Sequence, residues 1–416
     1  MNNPAKSAPS LPVTIISGFS GAGKTALLNH LINNASGLRV GVIMNDMAAM
    51  KLKNGGLKNS ASAVAAARSE LIEMNNGCIC CTLREEFVAH IATLARKGDL
   101  DMLLVEATAI SEPLPIALCF EQLEPGGQLL GDVAHLDTLV TVVDAHHFLD
   151  DWDEAAPLRT LGVALDESDG RTVADLLAEQ VEVANVIVVN KSDLVSAESL
   201  ERLCSILQNL NPEAEIVTTM FGVVSLDSML LAELFDPTRL SNVLPRENGN
   251  SADEFGVSSF VYRARRPFHP ERLWEVLHSE WPGVLRSKGL FWLASRMSES
   301  GFWSQAGPVC SAEGAGRWWA TVPETDWPED EDLRGSIAGE FKGPFGDRRQ
   351  ELVVVGIDMD RAALRGRLDE CLLDDEEMKM GPMGWLHLND PFPIWANEHH
   401  DEPELQVKLR RELPRA

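Results

Sequence analysis

Positive charge is scarce in this chain: its 416 residues hold 36 Lys and Arg against 63 Asp and Glu, a formal net charge of −27. Sequence-independent binding of DNA or RNA needs a basic surface, and anionic lipid attracts one. Neither nucleic acid nor membrane is therefore expected as a partner. No apolar run reaches the roughly 20 residues of a membrane-spanning helix. The first twelve residues carry one Lys and no apolar core, so no secretory signal is expected. A disulfide framework also lacks support, because the seven cysteines are odd in number and Cys78, Cys80 and Cys81 crowd into four positions. The expected compartment is the cytoplasm, where such a cluster points to metal or redox chemistry.

What is present begins at residue 13, in VTIISGFSGAGKTALLNHL. The β-branched residues Val13, Ile15 and Ile16 stop at Ser17-Gly18, and a helical apolar period (Leu27, Leu28, Leu31) follows Lys24-Thr25. Gly18 to Thr25 fits G-x-x-x-x-G-K-[ST] between a strand and a helix, the setting a phosphate-binding loop requires. Glycine allows the backbone angles and close approach that turn successive N–H groups toward phosphate oxygens. The expected cradle is Gly18, Gly21, Ala22, Gly23, Lys24, Thr25 and Ala26. Lys24 brings a cation to the β/γ-phosphates, Thr25 offers a hydroxyl to Mg²⁺, and the helix N-terminus adds its partial positive charge.

Apolar β-rich runs at 13–17, 39–44, 102–106, 139–143 and 185–190 alternate with helical stretches. The fold class is therefore α/β: a P-loop NTPase with a doubly wound, mostly parallel sheet and its ligand at the strands' carboxyl ends. Residues 1–12 read as a loose leader, 13–241 as the nucleotide domain, with a loop over 48–69, and the polar stretch 242–254 as a linker. Strand-like runs at 257–262, 289–294, 317–322 and 351–357, with helical runs at 269–280 and 360–373, predict a smaller C-terminal α+β domain over 255–375. Residues 376–416, rich in Trp, Pro and acid, read as a peripheral tail. The basic run Arg263, Arg265, Arg266 and Arg272, with Arg286 and Lys288, either docks an acidic partner or pairs with the chain's own acids.

Asn190-Lys191-Ser192-Asp193 ends the fifth apolar run. A carboxylate there can accept from both the ring N–H and the exocyclic amine of guanine, a pattern adenine lacks. The expected nucleotide is GTP or GDP. Asp101-Met-Leu-Leu-Val-Glu106 places a strand-end acid where it can orient Mg²⁺ through a coordinated water. Asp144, ending TVVD, holds a comparable place with a structural role as a competing reading. The thiols of Cys78, Cys80 and Cys81 are soft ligands suited to Zn²⁺, Cu(I) and iron. Cys80 and Cys81 point different ways in extended chain, so a fourth ligand from elsewhere, or an incomplete and releasable site, is implied. Cys119, Cys204, Cys310 and Cys371 are isolated and read as core. His146, His147, His399 and His400 read as surface residues.

The phosphate loop, C-x-C-C, E-x-T followed by S-E-P, TVVDA and N-K-x-D, in this order, resemble the CobW-type metallochaperone GTPases, which couple nucleotide state to transition-metal binding and delivery. VYRARRPFHPERL, WPGVLRSKGLFWLASR and GDRRQELVVVGIDMD are similar to that family's C-terminal domain, in its longer bacterial zinc-associated branch. The resemblance implies a slow GTPase in which Lys24, Thr25 and Glu106 serve phosphate, Mg²⁺ and hydrolysis. It implies that Asn190, Lys191 and Asp193 serve the base, and Cys78, Cys80, Cys81 and Asp46 a transition metal, Zn²⁺ or Fe²⁺ with Co²⁺ also accommodated. The implied partner is a client metalloenzyme or apo-metalloprotein, and the chain would be a monomer or a nucleotide- or metal-dependent dimer. Two departures stand out: Ala109 where the family usually has glycine, and no second acid after Asn45-Asp46. The leading reading is a zinc metallochaperone. Its rivals are a dedicated activator of iron-type nitrile hydratase, a P-loop kinase, and a nucleotide-gated binding module without turnover.

Overall fold

The computed structural model describes residues 10–35, 37–45, 70–74, 84–121, 123, 127, 129–161, 164, 169–226, 229–236 and 254–395. The chain divides into two compact units after Asp236.

In the first unit the elements run β1 (Leu11–Ser17), α1 (Lys24–Asn34), β2 (Val40–Asn45), β3 (Glu70–Met74), α2 (Arg84–Lys97), β4 (Met102–Glu106), α3 (Pro113–Leu118), β5 (Ala134–Asp144), α4 (Phe148–Glu154), α5 (Val173–Glu182), β6 (Val186–Asn190), α6 (Ala197–Leu210) and β7 (Glu215–Thr218). Among the described residues the seven strands form one sheet, in the order β3-β2-β4-β1-β5-β6-β7. Every pairing is parallel. Strands buried on both faces need continuous apolar runs rather than alternation, and β4 and β6 are buried at every position. Leu27, Leu28 and Leu31 of α1 pack with Val40, Val42, Val140 and Val188 on one face. The chain builds outward from β1 to one edge, returns, and then builds to the other. The direction of building changes at β1, and the carboxyl ends of the strands beside such a switch point are where open α/β sheets bind ligands.

The second unit runs β8 (Val257–Ala264), α7 (Pro270–Leu277), β9 (Val284–Phe291), β10 (Glu299–Ala306), β11 (Val309–Arg317), α8 (Glu331–Gly339), β12 (Gln350–Ile357), α9 (Arg361–Cys371) and α10 (Asp375–Trp385). Its strands pair antiparallel in the order β11-β10-β9-β12-β8. The strand expected over 317–322 is absent: Trp319–Thr321 is a 3-10 turn, because the Asp347 carboxylate accepts the N–H groups of Trp319 and Ala320, each at 2.9 Å. The hairpin β10–β11 goes unseen in the sequence because its Gly, Ser and Ala carry little strand preference. Pairing with β9 supplies what local propensity does not.

Residues 376–395 are not peripheral. Trp385 is fully buried and packs with Trp292 and Phe345. Trp395 lies against Phe291 and under the Arg296 guanidinium, 4.1 Å from its carbon to the ring centroid. Arg296 in turn grips Asp390 and the Phe392 carbonyl. Gly314 is required here, since a Cβ would sit 2.9 Å from Trp395 Cβ. Trp385, Phe392 and Trp395 belong to the core because their aromatic rings bury large apolar area. Trp385→Ala is expected to destabilise this unit by about 3–5 kcal/mol, read as a lowered urea midpoint. A shift too small to resolve would make α10 an appendage after all.

The basic run pairs internally. Arg263 meets Glu351 at 2.9 Å, Arg265 meets Glu340 at 3.0 Å, and Arg266 and Arg272 meet Asp375 and Glu377 at 2.6 Å each. Arg286 and Lys288 are buried. Burial alone would raise the Glu351 carboxyl, but Arg349 and Arg263 outweigh it and hold it below the ordinary carboxylate range. Among the described residues, no helix is long and apolar enough to cross a membrane.

Candidate nucleotide site

β1 hands over to α1 through Gly18, Gly21 and Gly23, all at positive φ. At Gly23 a Cβ would lie 2.2 Å from Asn190 Nδ2, so this glycine is demanded by packing as much as by φ 111°. α1 starts at Lys24 without a side-chain cap, which leaves its first N–H groups for another acceptor. Lys24 Nζ curls back to donate to the carbonyls of Gly18 at 2.7 Å and Phe19 at 3.1 Å. Thr25 Oγ1 donates to Glu106 Oε1 at 2.8 Å, joining the start of α1 to the end of β4. Ala22 and Glu106 are buried, whereas Gly21 and Ala26 are exposed. A hydroxyl and a buried carboxylate side by side at a helix N-terminus make an oxygen-donor pair that fits a hard cation.

The other half of the site lies at the end of β6. Asn190 is buried and turns inward: its Nδ2 donates to the Ala22 carbonyl at 2.9 Å, and its Oδ1 accepts from Gly222 N at 3.0 Å. One amide thereby ties together the loops after β1, β6 and β7. Lys191, at φ 61°, reaches Asp144 Oδ2 at 2.5 Å. Asp144 also accepts from His146 N and meets His147 Nδ1, each at 3.0 Å. Burial pushes the Asp144 carboxyl up, but Lys191 and His147 bring it below its ordinary range. Asp193 stands exposed on the turn Ser192–Leu194. Asn190→Ala would strand a carbonyl and an N–H that Asn190 now satisfies, at about 1–3 kcal/mol each. A lowered urea midpoint is expected for the ligand-free chain, and an unchanged one would mean the bridge contributes nothing.

Two residues that carry no motif hold the segment after Glu106. Gln180 of α5, completely buried, donates from Nε2 to the carbonyls of Ala109 at 3.1 Å and Ser111 at 3.3 Å. Arg171, just before α5, pairs with Glu112 and forks onto Asp169. The usable sequence signal was Gln180 itself, a polar residue on the helix face of Val173, Leu176, Leu177 and Val181. Ala109 avoids positive φ in this structure.

The expected metal ligands Cys78, Cys80, Cys81 and Asp46 lie outside the described residues. Among the described residues, no group of three or more His, Cys, Asp or Glu is placed to hold a metal ion. Burial raises the Cys119 thiol, and pushes Cys371 up to about 12, as inert core thiols require.

Residues 12–218 match the family model described as CobW/HypB/UreG, nucleotide-binding domain. Residues 257–372 match that of the cobalamin synthesis protein cobW C-terminal domain. Zinc-regulated GTPase metalloprotein activator 1 of Dictyostelium discoideum is 37% identical over 427 residues, covering 95% of this chain and 90% of the relative. A zinc chaperone CobW of Pseudomonas aeruginosa is 33% identical over 236 residues, covering 55% of this chain and 61% of the relative. A zinc chaperone of Mycobacterium tuberculosis is 29% identical over 352 residues, 80% of this chain and 81% of its own.

Proposed function

We propose that this chain, which belongs to the CobW/HypB/UreG family of P-loop GTPases, loads zinc onto a client metalloprotein and uses GTP hydrolysis as the switch between holding and releasing the metal. The observation that carries the nucleotide half is the hydrogen bond from Thr25 to Glu106, which sets a hydroxyl and a carboxylate together at the mouth of the phosphate loop. Bound Mg²⁺ would supply charge neutralisation for the β/γ-phosphates. Thr25 would hold it directly and Glu106 through a water. Lys24, released from the Gly18 and Phe19 carbonyls, would meet the phosphate oxygens, and the open N–H groups of α1 would complete the cradle. Asp193 would read the guanine edge, while Lys191, held by Asp144, would flank the base.

The zinc half is supported by the names of the relatives and by ligand chemistry. Three thiols within four residues favour a soft or borderline ion, and the metal is cargo, held by Cys78, Cys80 and Cys81 with Asp46 nearby in sequence. The nitrile hydratase reading draws no support from these relatives. Multiple-turnover phosphate release from GTP and Mg²⁺ tests the switch. Turnover is expected in the wild type, with at least a roughly 100-fold loss in Lys24→Ala. Release that stops at one phosphate per chain would favour a nucleotide-gated binding module, and transfer of phosphate to a small molecule would favour a kinase.

A further inference from the structure

Phe221 is displayed in a way its own chain does not explain. It is 78% exposed, yet it sits at φ 56°. A bulky side chain in the left-handed region is strained, and strain of this kind persists where surrounding structure imposes it, most often at ligand-binding sites. Here the imposing contacts are visible. Thr219 N donates to the Val189 carbonyl at 2.8 Å, Ser192 donates from N and Oγ to the Thr219 carbonyl at 3.1 and 3.0 Å, and Gly222 N donates to Asn190 Oδ1 at 3.0 Å. The residues on either side of Met220-Phe221 are thus bonded to the segment that continues into Asp193. Gly222 also lies so close to α1 that a Cβ would be 2.7 Å from Leu27 N. Met220 (51% exposed), Val223 (60%) and Leu194 (54%) add an apolar rim to the same end of the sheet. Exposed apolar clusters of this kind mark contact sites.

We propose that Phe221 is the platform on which the purine ring of the bound nucleotide stacks, with Asp193 engaging its edge. The assignment rests on the nucleotide reading of this site. A planar base is favoured over a protein partner because the backbone beside the ring, at Gly222 N, is held by the same Asn190 that braces the phosphate loop. One amide therefore ties the Phe221 turn to the phosphate cradle, the two places a bound nucleotide would join.

Phe221→Ala is expected to weaken GTP and GDP alike by roughly 5–150-fold, the span of a lost base–aromatic stack, while Phe221→Tyr retains affinity. Phe221→Gly removes the strained side chain, so its urea midpoint should rise while its nucleotide affinity falls; a purely structural residue would move both the same way. Phe221→Trp should show indole emission that is quenched on adding GDP. Unchanged affinity in Phe221→Ala, or unresponsive emission in Phe221→Trp, overturns the platform. Retained nucleotide affinity with lost binding of a zinc-requiring client would make the patch a protein-docking surface and also overturn it. The guanine reading fails separately, by equal affinity of the wild type for ATP and GTP. An equal loss of both in Phe221→Ala would still support stacking, which is tolerant of base identity.

Discussion

GTP is expected to bind this chain on the order of 10⁴-fold more tightly than ATP, the ratio reached when a site built to pair specific groups is offered an analogue that leaves them unpaired. Asp193 stands on an exposed turn at the end of β6, where its carboxylate is available to the ring N–H and the exocyclic amine of guanine. Each hydrogen bond to a charged group is worth about 1.5–3 kcal/mol. Replacing the carboxylate with an amide removes the acceptor pair, so Asp193→Asn should lose roughly 10²–10⁴-fold in GTP affinity. The same variant should gain affinity for xanthosine nucleotides, whose donor and acceptor pattern suits an amide. Equilibrium titration with labelled GDP, competed by GTP, ATP and XTP, measures all three. Equal competition by ATP and GTP in the wild type would remove the guanine assignment, and an unmoved XTP affinity would remove Asp193 as its reader.

Metal affinity should depend on which nucleotide is bound. Zinc is expected to bind tightly with a non-hydrolysable GTP analogue and more weakly with GDP. The difference should be about 5–150-fold, the usual span of a coupling free energy of 1–3 kcal/mol. By reciprocity zinc must then favour the GTP analogue over GDP by the same factor. Cys78→Ser, Cys80→Ser or Cys81→Ser removes a thiolate. Each should cost at least the roughly 10–100-fold that loss of a mere supporting contact costs a metal site, and should abolish the nucleotide dependence while GTP still binds. Competition with a chromogenic chelator under anaerobic reducing conditions reads these affinities. Identical zinc affinities in the two nucleotide states would disconnect the thiols from the switch, and the chaperone proposal would fail with them.

Much of the first unit was legible in the sequence because its signals are local. A phosphate loop needs its glycines, cation and hydroxyl within eight residues, and the strands that frame it are buried on both faces and therefore read as plain apolar runs. The pairing of Thr25 with Glu106 was legible at one remove, since a strand-end acid beside such a loop has few other places to go. Asn190 was harder. Its type and position suggested the base, whereas its amide is spent on Ala22 and Gly222, contacts made by segments far apart in the chain. Gln180 carried the opposite difficulty, a functional-looking contact with no motif to announce it. In the second unit the hairpin β10–β11 and the buried Trp385 and Trp395 were missed for one reason. Both depend on surfaces other strands provide, and no window of sequence contains them.

The placement of Trp395 has a consequence for synthesis. It shares one aromatic cluster with Phe260, Phe291 and Trp303, so that cluster cannot close until the ribosome has added the last of these residues. At roughly 5–20 residues per second, the stretch from Phe260 to Trp395 takes on the order of ten seconds to translate. Through that interval the cluster's apolar faces stay open to solvent, to neighbouring nascent chains and to any holdase that reaches them first.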